Sequence, residues 1–247
     1  GAAVVPHQHV ALAPRMAPGK IRTRGVDPQG VEQGFRFRHR QADQLVEPGG
    51  GRPEPDDRVA RERTTADDGD LVWTTNVALS HRLWAWCAHR GVRFVYASSA
   101  ATYGDGSAGF VDDDSANGLA KLRPLNPYGW SKHVFDRRVA RLLASKAAKP
   151  AQHVGLKFFN VYGPNEYHKE GQRSVAHQLY QTAKAGKPAR LFKSHNKKYK
   201  DGGQLRDFIW VGDCVSVMLW LLDHPNVNGL FNLGTGQARS FADLAKA

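Results

Sequence analysis

The chain has 247 residues, of which 41% are hydrophobic and 23% charged, and its 35 Lys and Arg against 23 Asp and Glu give a net charge of +12. That balance is enough for a packed core and excludes a disordered or fibrous class, while the apolar runs fall far short of the roughly 18 residues that cross a bilayer. With only Cys87 and Cys214 the chain has neither a disulfide framework nor a thiolate metal cage, which fits a reducing cytoplasm.

Residues 1–70 hold 11 basic and 11 acidic side chains, so the whole positive excess belongs to 71–247. The leader has ten Arg but one Lys, seven of the 13 Pro, and no Trp or Tyr. Pro14, Pro18, Pro28, Pro48, Pro53 and Pro55 interrupt every candidate element, and no helical or strand period runs through it. Residues 1–63 are therefore read as irregular. They are either a natural flexible arm or a GC-rich reading frame translated out of register. The Arg to Lys ratio favours the second, because 71–247 has 13 Lys and 11 Arg.

From residue 71 onward the sequence is ordered. Trp73, Val77, Leu83, Trp84 and Cys87 recur at helical spacing and Gly91 follows as a C-terminal cap, predicting a helix over 71–90. VRFVYA at 92–97 predicts a buried strand. After a loop over 104–126, Pro127 opens a helix to about residue 146, and HVGLKFF at 153–159 predicts a second buried strand. Further elements are a helix at 173–185, strands at 189–193 and 207–210, a helix at 212–222, a strand at 229–232, and a helix opening at Ser240. Buried strands alternating with helices predict an α/β fold with a doubly wound, Rossmann-like parallel sheet.

The first strand runs into Ser98-Ser99-Ala100-Ala101-Thr102-Tyr103. Ligands of open α/β sheets bind beyond the carboxyl ends of the strands, so Ser99 is well sited, although a strand-end serine also caps turns. Tyr128 and Lys132 stand in a Y-x-x-x-K spacing at the start of a predicted helix, where i and i+4 share a face. A neighbouring ammonium favours phenolate and draws the phenol below its ordinary value near 10, making the pair an acid/base device. Y-x-x-x-K alone is a weak signal. Joined to the upstream serines after a strand, it becomes a strong one.

The Ser99, Tyr128 and Lys132 trio resembles the signature of the extended short-chain dehydrogenase/reductase family of nucleotide-sugar epimerases and dehydratases. YASSAATYG at 96–104, LNPYGWSK at 125–132, FFNVYGPNEYHK at 158–169, RLF at 190–192, RDFIWVGD at 206–213 and FNLGTG at 231–236 extend that resemblance over about 64–247. Within the family, the NEYHK segment at 165–169 is similar to the branch that acts at C6 of ADP-glycero-manno-heptose.

The resemblance implies transient oxidation of C6 to a ketone by NADP, or by NAD, followed by reduction on the other face. One base cannot serve both faces, so two opposed acid/base groups are needed, by motif position Tyr128 and Lys169. Ser99 would bond the reacting oxygen within the reach that general acid/base catalysis demands. Cofactor contacts would be Asn76, Lys132, Val161 and Lys169. Substrate contacts would be Ser99, Asn160, Phe192, Lys193, Ser194, His195 and Arg206, the last apt because a guanidinium fork matches phosphate oxygens.

The implied protein is a cytoplasmic homo-oligomer that binds a nucleotide sugar, with substrate-domain elements from about residue 160 and no metal, membrane or nucleic-acid partner. The basic loop at 193–200 reads as a solvated patch near an anionic substrate rather than an RNA site. Two alternatives stand: a hexose 4-epimerase or 4,6-dehydratase, and an inactive reductase fold acting as a basic binding protein.

The sequence departs from the family at both ends. No strand followed by G-x-x-G-x-x-G precedes residue 71, and the chain stops at Ala247, within the substrate domain. The strand at 92–97 is expected to lack a partner on one side, and the chain by itself is expected to hold NADP weakly and to be inactive.

Overall fold

The computed structural model of the protein describes residues 72–194, 197 and 199–247. The leader over 1–63 and its expected irregularity lie outside the described residues, as does His195.

A π-helical turn, Thr74–Ala78, runs into helix α1, Leu79–Arg90, where the sequence pattern places a helix. Gly91 ends it in the left-handed region at φ 63°, and its N–H bonds Cys87 O, as its role as a cap requires. Strand β1, Phe94–Ser99, begins two residues later than the apolar run and extends through both serines. A short helix α2, Ala116–Lys121, lies inside the expected loop, started by Ser115 accepting from Gly118 N at 3.0 Å. Six residues between a serine cap and Leu122 are too few to show an apolar period.

Helix α3 spans Pro127–Ala144, with Asn126 as N-cap accepting from Gly129 N at 2.7 Å and proline in the first turn, where its missing N–H costs nothing. Then come β2 (His153–Phe158), β3 (Asn160–Tyr162), α4 (Val175–Lys184), β4 (Leu205–Trp210), α5 (Val211–Asp223), β5 (Gly229–Leu233), β6 (Ala238–Ser240) and α6 (Phe241–Lys246). Ser240 and Asp243 close a reciprocal capping box at the start of α6.

Strands β1, β2 and β5 pair in that order, all parallel. On one face Val154, Leu156, Phe231 and Leu233 pack with Cys214 and Leu221 of α5. On the other, Phe94 packs with Trp84 and Cys87 of α1 and Phe135 and Val139 of α3. Both faces are thus covered by helices, the doubly wound arrangement. Among the described residues β1 pairs only with β2, so it forms an edge of this sheet. Gln152 secures the far end of the sheet by donating from Nε2 to the carbonyls of Leu221, His224 and Val227 at 2.9–3.2 Å.

Strand β4 does not extend the main sheet. It pairs parallel with β3 and antiparallel with β6, forming a second, small sheet. The strand expected at 189–193 is absent. Pro188 has no N–H to give, Phe192 is 57% exposed, and the segment's carbonyls are met by Gly202 N and the Gln204 side chain instead of a ladder. Among the described residues no helix is long and apolar enough to cross a membrane.

Candidate active site

The carboxyl end of β1 meets the N-terminal end of α3. Ser99 is the last residue of β1 and 9% exposed, and its Oγ accepts from Ala101 N at 3.1 Å, capping the 3-10 turn Ala100–Tyr103. The cap uses the oxygen as acceptor, so the hydroxyl proton remains available to donate. Tyr128 lies in the first turn of α3, and the Lys132 ammonium sits 5.7 Å from the centroid of its ring. Both side chains are half-buried.

Gly129, next to Tyr128, permits the junction: a Cβ there would come within 2.8 Å of Ala101 O and 3.0 Å of Pro124 Cβ. The Asn76 amide donates to Ser131 Oγ at 3.0 Å, and Ser131 Oγ donates to Tyr128 O at 2.7 Å, so the π-helical turn is joined to the turn of α3 that bears the tyrosine.

Behind these groups lies a buried polar network that the sequence reading did not assign. Asp136, on the same face of α3 as Tyr128 and Lys132, is 2% exposed and accepts from Ser98 Oγ at 2.6 Å and Tyr96 OH at 3.1 Å. Burial pushes its carboxyl up to about 6, against the pull of Lys157, the two hydroxyls and Lys132. Lys157 of β2 is fully buried. Its ammonium has no hydrogen-bond partner among the described residues and lies 4.1 Å from the Tyr103 ring centroid, and burial lowers its pKa despite Asp136, Asp112 and Asp113. Tyr103 OH bonds Asn232 Oδ1 at 2.7 Å and Val111 O at 3.0 Å. The 128, 132, 136 spacing was a legible signal for Asp136, whereas Lys157 inside an apolar strand carried none.

Lys169 lies in the 3-10 turn Tyr167–Gln172, and its side chain is 45% exposed. Its loop is fastened by Glu166, which is 6% exposed. The carboxylate accepts from Ser174 N at 2.7 Å and Ser174 Oγ at 2.6 Å, and stands 3.6 Å from the Lys169 ammonium. Burial works to raise the Glu166 pKa, but the Ser174 bonds and Lys169 outweigh it, and the net shift is downward. Asn165 precedes it at φ 70°, a left-handed position asparagine tolerates.

The second sheet and the segment before β4 carry the other predicted contacts among the described residues. Asn160 and Val161 begin β3 and pair with Phe208 and Ile209. The Arg206 guanidinium is exposed, 5.8 Å from the ring centroid of Phe241, which also meets Phe192 at 5.3 Å. Arg206 is not simply balanced by its neighbour, since Asp207 turns away to accept from Thr235 N, Thr235 Oγ1 and Gly236 N. Lys193 is exposed, and Ser194 N donates to Asp201 Oδ1 at 2.8 Å. The structure therefore gathers Asn76, Ser99, Tyr128 and Lys132 around the β1–α3 junction. It gathers Phe192 and Arg206 around Phe241.

Known proteins agree with this architecture. A chain from Nitratidesulfovibrio vulgaris (strain DP4) named ADP-L-glycero-D-manno-heptose-6-epimerase is 50% identical over 184 residues, covering 74% of this chain and 55% of that one. The crystal structure of the Helicobacter pylori ADP-L-glycero-D-manno-heptose-6-epimerase superposes with a TM-score of 0.60 at 32% identity, covering 74% of this chain and 53% of that one. MoeE5 in complex with UDP-glucose and NAD superposes at 0.52 with 32% identity over 69% of this chain and 52% of that one. The chain thus spans about half the length of the curated relatives it matches. Residues 59–234 match the family model described as the NAD dependent epimerase/dehydratase family, and the chain belongs to that family.

Proposed function

We propose that this chain carries the acid/base and substrate-contacting residues of a nucleotide-sugar epimerase that inverts C6 of ADP-glycero-manno-heptose. The observation that supports the reading is the presence of two separate clusters bearing acid/base groups. One is the Ser99, Tyr128 and Lys132 cluster at the end of β1, and the other is a separate lysine, Lys169, on a loop fastened by a buried carboxylate.

The donor set fits the nicotinamide and ribose end of a dinucleotide. Lys132 offers an ammonium on the Tyr128 face of α3, and residues 98–101 are small serines and alanines at a strand end, where a ligand approaches closely. NADP, when bound, supplies the two-electron chemistry that takes hydrogen from C6 and gives it back. Tyr128 takes the proton of the C6 hydroxyl on one face, with Lys132 favouring its phenolate, and a second group returns a proton to the oxygen when C6 is reduced on the other. Ser99 donates to the reacting oxygen and orients it. Lys169 serves the opposite face, which a single base cannot reach. Asn160, Val161, Phe192, Lys193 and Arg206 hold the nucleotide sugar.

The test reads substrate first. Titration of the purified chain should give at least tenfold tighter binding of ADP-glycero-manno-heptose than of UDP-glucose, and equal or reversed preference overturns the heptose assignment. At NADP concentrations high enough to offset the weak hold expected of this chain, interconversion of the two C6 epimers should appear in wild type and be lost in Lys169→Ala and in Tyr128→Phe. A Lys169→Ala chain that still epimerises at the wild-type rate rejects the two-base mechanism.

A further inference from the structure

We propose that Arg239 is a second guanidinium for the substrate diphosphate, paired with Arg206, and that the two together select a nucleoside diphosphate over a monophosphate. This rests on the nucleotide-sugar reading and names a residue outside the site residues assigned above.

Strand β6 pairs antiparallel with β4 in a register that sets Arg239 directly opposite Arg206. Residues opposite one another in an antiparallel pair project from the same face with Cβ atoms roughly 5 Å apart, and like charges so placed destabilise the pair. A short two-stranded contact with two arginines at one register position concentrates positive charge on one face, and an anion bound there would relieve the repulsion.

The surrounding carboxylates do not meet that need. Asp207 is committed to Thr235 and Gly236, and Asp243 takes the Ser240 N–H and hydroxyl on Oδ2 and feels the charge of Arg239 without an ion pair to it among the described residues. Each guanidinium makes one weakly constraining local bond: Arg206 Nη1 to Leu205 O at 2.7 Å, and Arg239 Nη2 to Gln237 Oε1 at 3.1 Å. Both arginines are exposed and retain free N–H donors.

The neighbouring aromatic groups fit the same ligand. Phe241 underlies Arg206 and props Phe192, whose ring is 57% exposed, so an apolar ring edge stands beside two planar cations. Two forks match two phosphoryl groups, each guanidinium presenting parallel N–H donors to one of them. A single fork would hold a monophosphate equally well. The second is what makes the β-phosphoryl group count.

The experiment is calorimetric titration of the full chain at low salt with ADP, AMP and inorganic pyrophosphate, for wild type, Arg239→Gln, Arg239→Lys and Arg206→Gln. Arg239→Gln should weaken ADP and pyrophosphate about tenfold and leave AMP within about twofold, and Arg239→Lys should recover only part, since an ammonium lacks the fork. ADP and pyrophosphate affinities within twofold of wild type in a folded Arg239→Gln chain overturn the inference and leave the nucleotide-sugar reading standing. Pyrophosphate binding that depends on Arg239, with ADP no tighter than pyrophosphate, supports the arginine pair and rejects the nucleotide reading. No binding of pyrophosphate to wild type overturns the pair. Should Arg239→Gln fail to fold, the charge-preserving Arg239→Lys decides: wild-type affinities for ADP and pyrophosphate count against the fork.

Discussion

The hydroxyl of Ser98 donates to Asp136 Oδ2 at 2.6 Å, which ties the residue beside Ser99 to the helix that carries Tyr128 and Lys132. Ser98 and Ser99 alternate across the pleat, so the first is held by α3 while the second is left to cap the turn. On the proposed mechanism Asp136 would be a positioning group, acting on Ser99, Tyr128 and Lys132 through the backbone of β1 and the register of α3.

Asp136 also answers the charge of Lys157. Replacing it by leucine leaves a buried ammonium, and such a loss costs on the order of 3–5 kcal/mol. The double variant Asp136→Leu, Lys157→Met removes both charges and should recover most of that stability. Urea unfolding of the three chains decides the matter: a double variant no more stable than the single one shows that the two charges are not coupled.

Two groups make stability depend on pH in opposite senses. Burial, followed by Arg137, Lys157 and Arg123, lowers His133 to about 4, so below its unfolded value of 6.5 the unfolded chain takes up a proton that the folded one refuses. Its contribution is lost as pH falls through that window. Asp136, raised to about 6, holds its proton in the folded state at a pH where the unfolded carboxyl has released it, so its effect favours folding as pH falls from 6 toward 4. Relative to wild type, His133→Phe should gain stability between pH 6.5 and 4.5 and Asp136→Asn should lose it. Thermal melts at half-unit pH steps would contradict this if all three profiles ran parallel.

Gly129→Ala tests the junction itself. Its added methyl meets Ala101 O and Pro124, and overpacking of this kind costs about 1–3 kcal/mol. On the proposed mechanism, moving Tyr128 away from Ser99 should also lower kcat at high NADP by roughly 10- to 100-fold while KM changes little, because misplacement of a reacting group by an ångström is felt at that scale. A Gly129→Ala chain turning over at the wild-type rate would show that α3 can retreat without disturbing the chemistry.

Glu166→Gln should loosen the Lys169 loop. Its carboxylate takes two charge-assisted bonds from Ser174, worth about 1.5–3 kcal/mol each. Because the folded pKa is depressed, that stability is present above the ordinary glutamate value near 4.3 and is lost as pH falls through the lower folded value. The variant should lose both the stability and its acid dependence, and amide exchange at Ser174 should rise. Unchanged protection there would place the anchor elsewhere.

Much of this fold is legible in the sequence because its signals are local. Gly91, Asn126-Pro127 and Ser240 mark helix ends through backbone chemistry that involves only their own neighbours, and the apolar runs of β1, β2 and β5 mark burial on both faces. What the sequence hid depended on distant partners. LRDFIW reads like another core strand, yet it pairs with β3 and β6, and β6 has only three residues, too few for a period. RLF reads as a strand because its composition is apolar, whereas the absence of a ladder partner decides its state. At the site, Tyr128 and Lys132 are visible as an i, i+4 pair. Arg239 is not, since nothing in ARS announces that it will lie opposite Arg206.

The parallel sheet has a kinetic consequence. Phe94 pairs with His153, and Val154 with Gly229, so the partners in each ladder are separated by roughly 60 to 75 residues of chain. None of these ladders closes as a hairpin, and each must meet the entropy of a long loop before its bonds reward it. Folding should therefore be slow and late, limited by the arrival of β5. During synthesis β1 and β2 emerge well before Leu233, and until then the edge of β2 that β5 covers stands open to other chains. The interval in which this protein is most prone to aggregate is set by the distance along the chain from Phe158 to Gly229, and helper proteins that shield nascent strands should raise its yield more than any change to the finished surface.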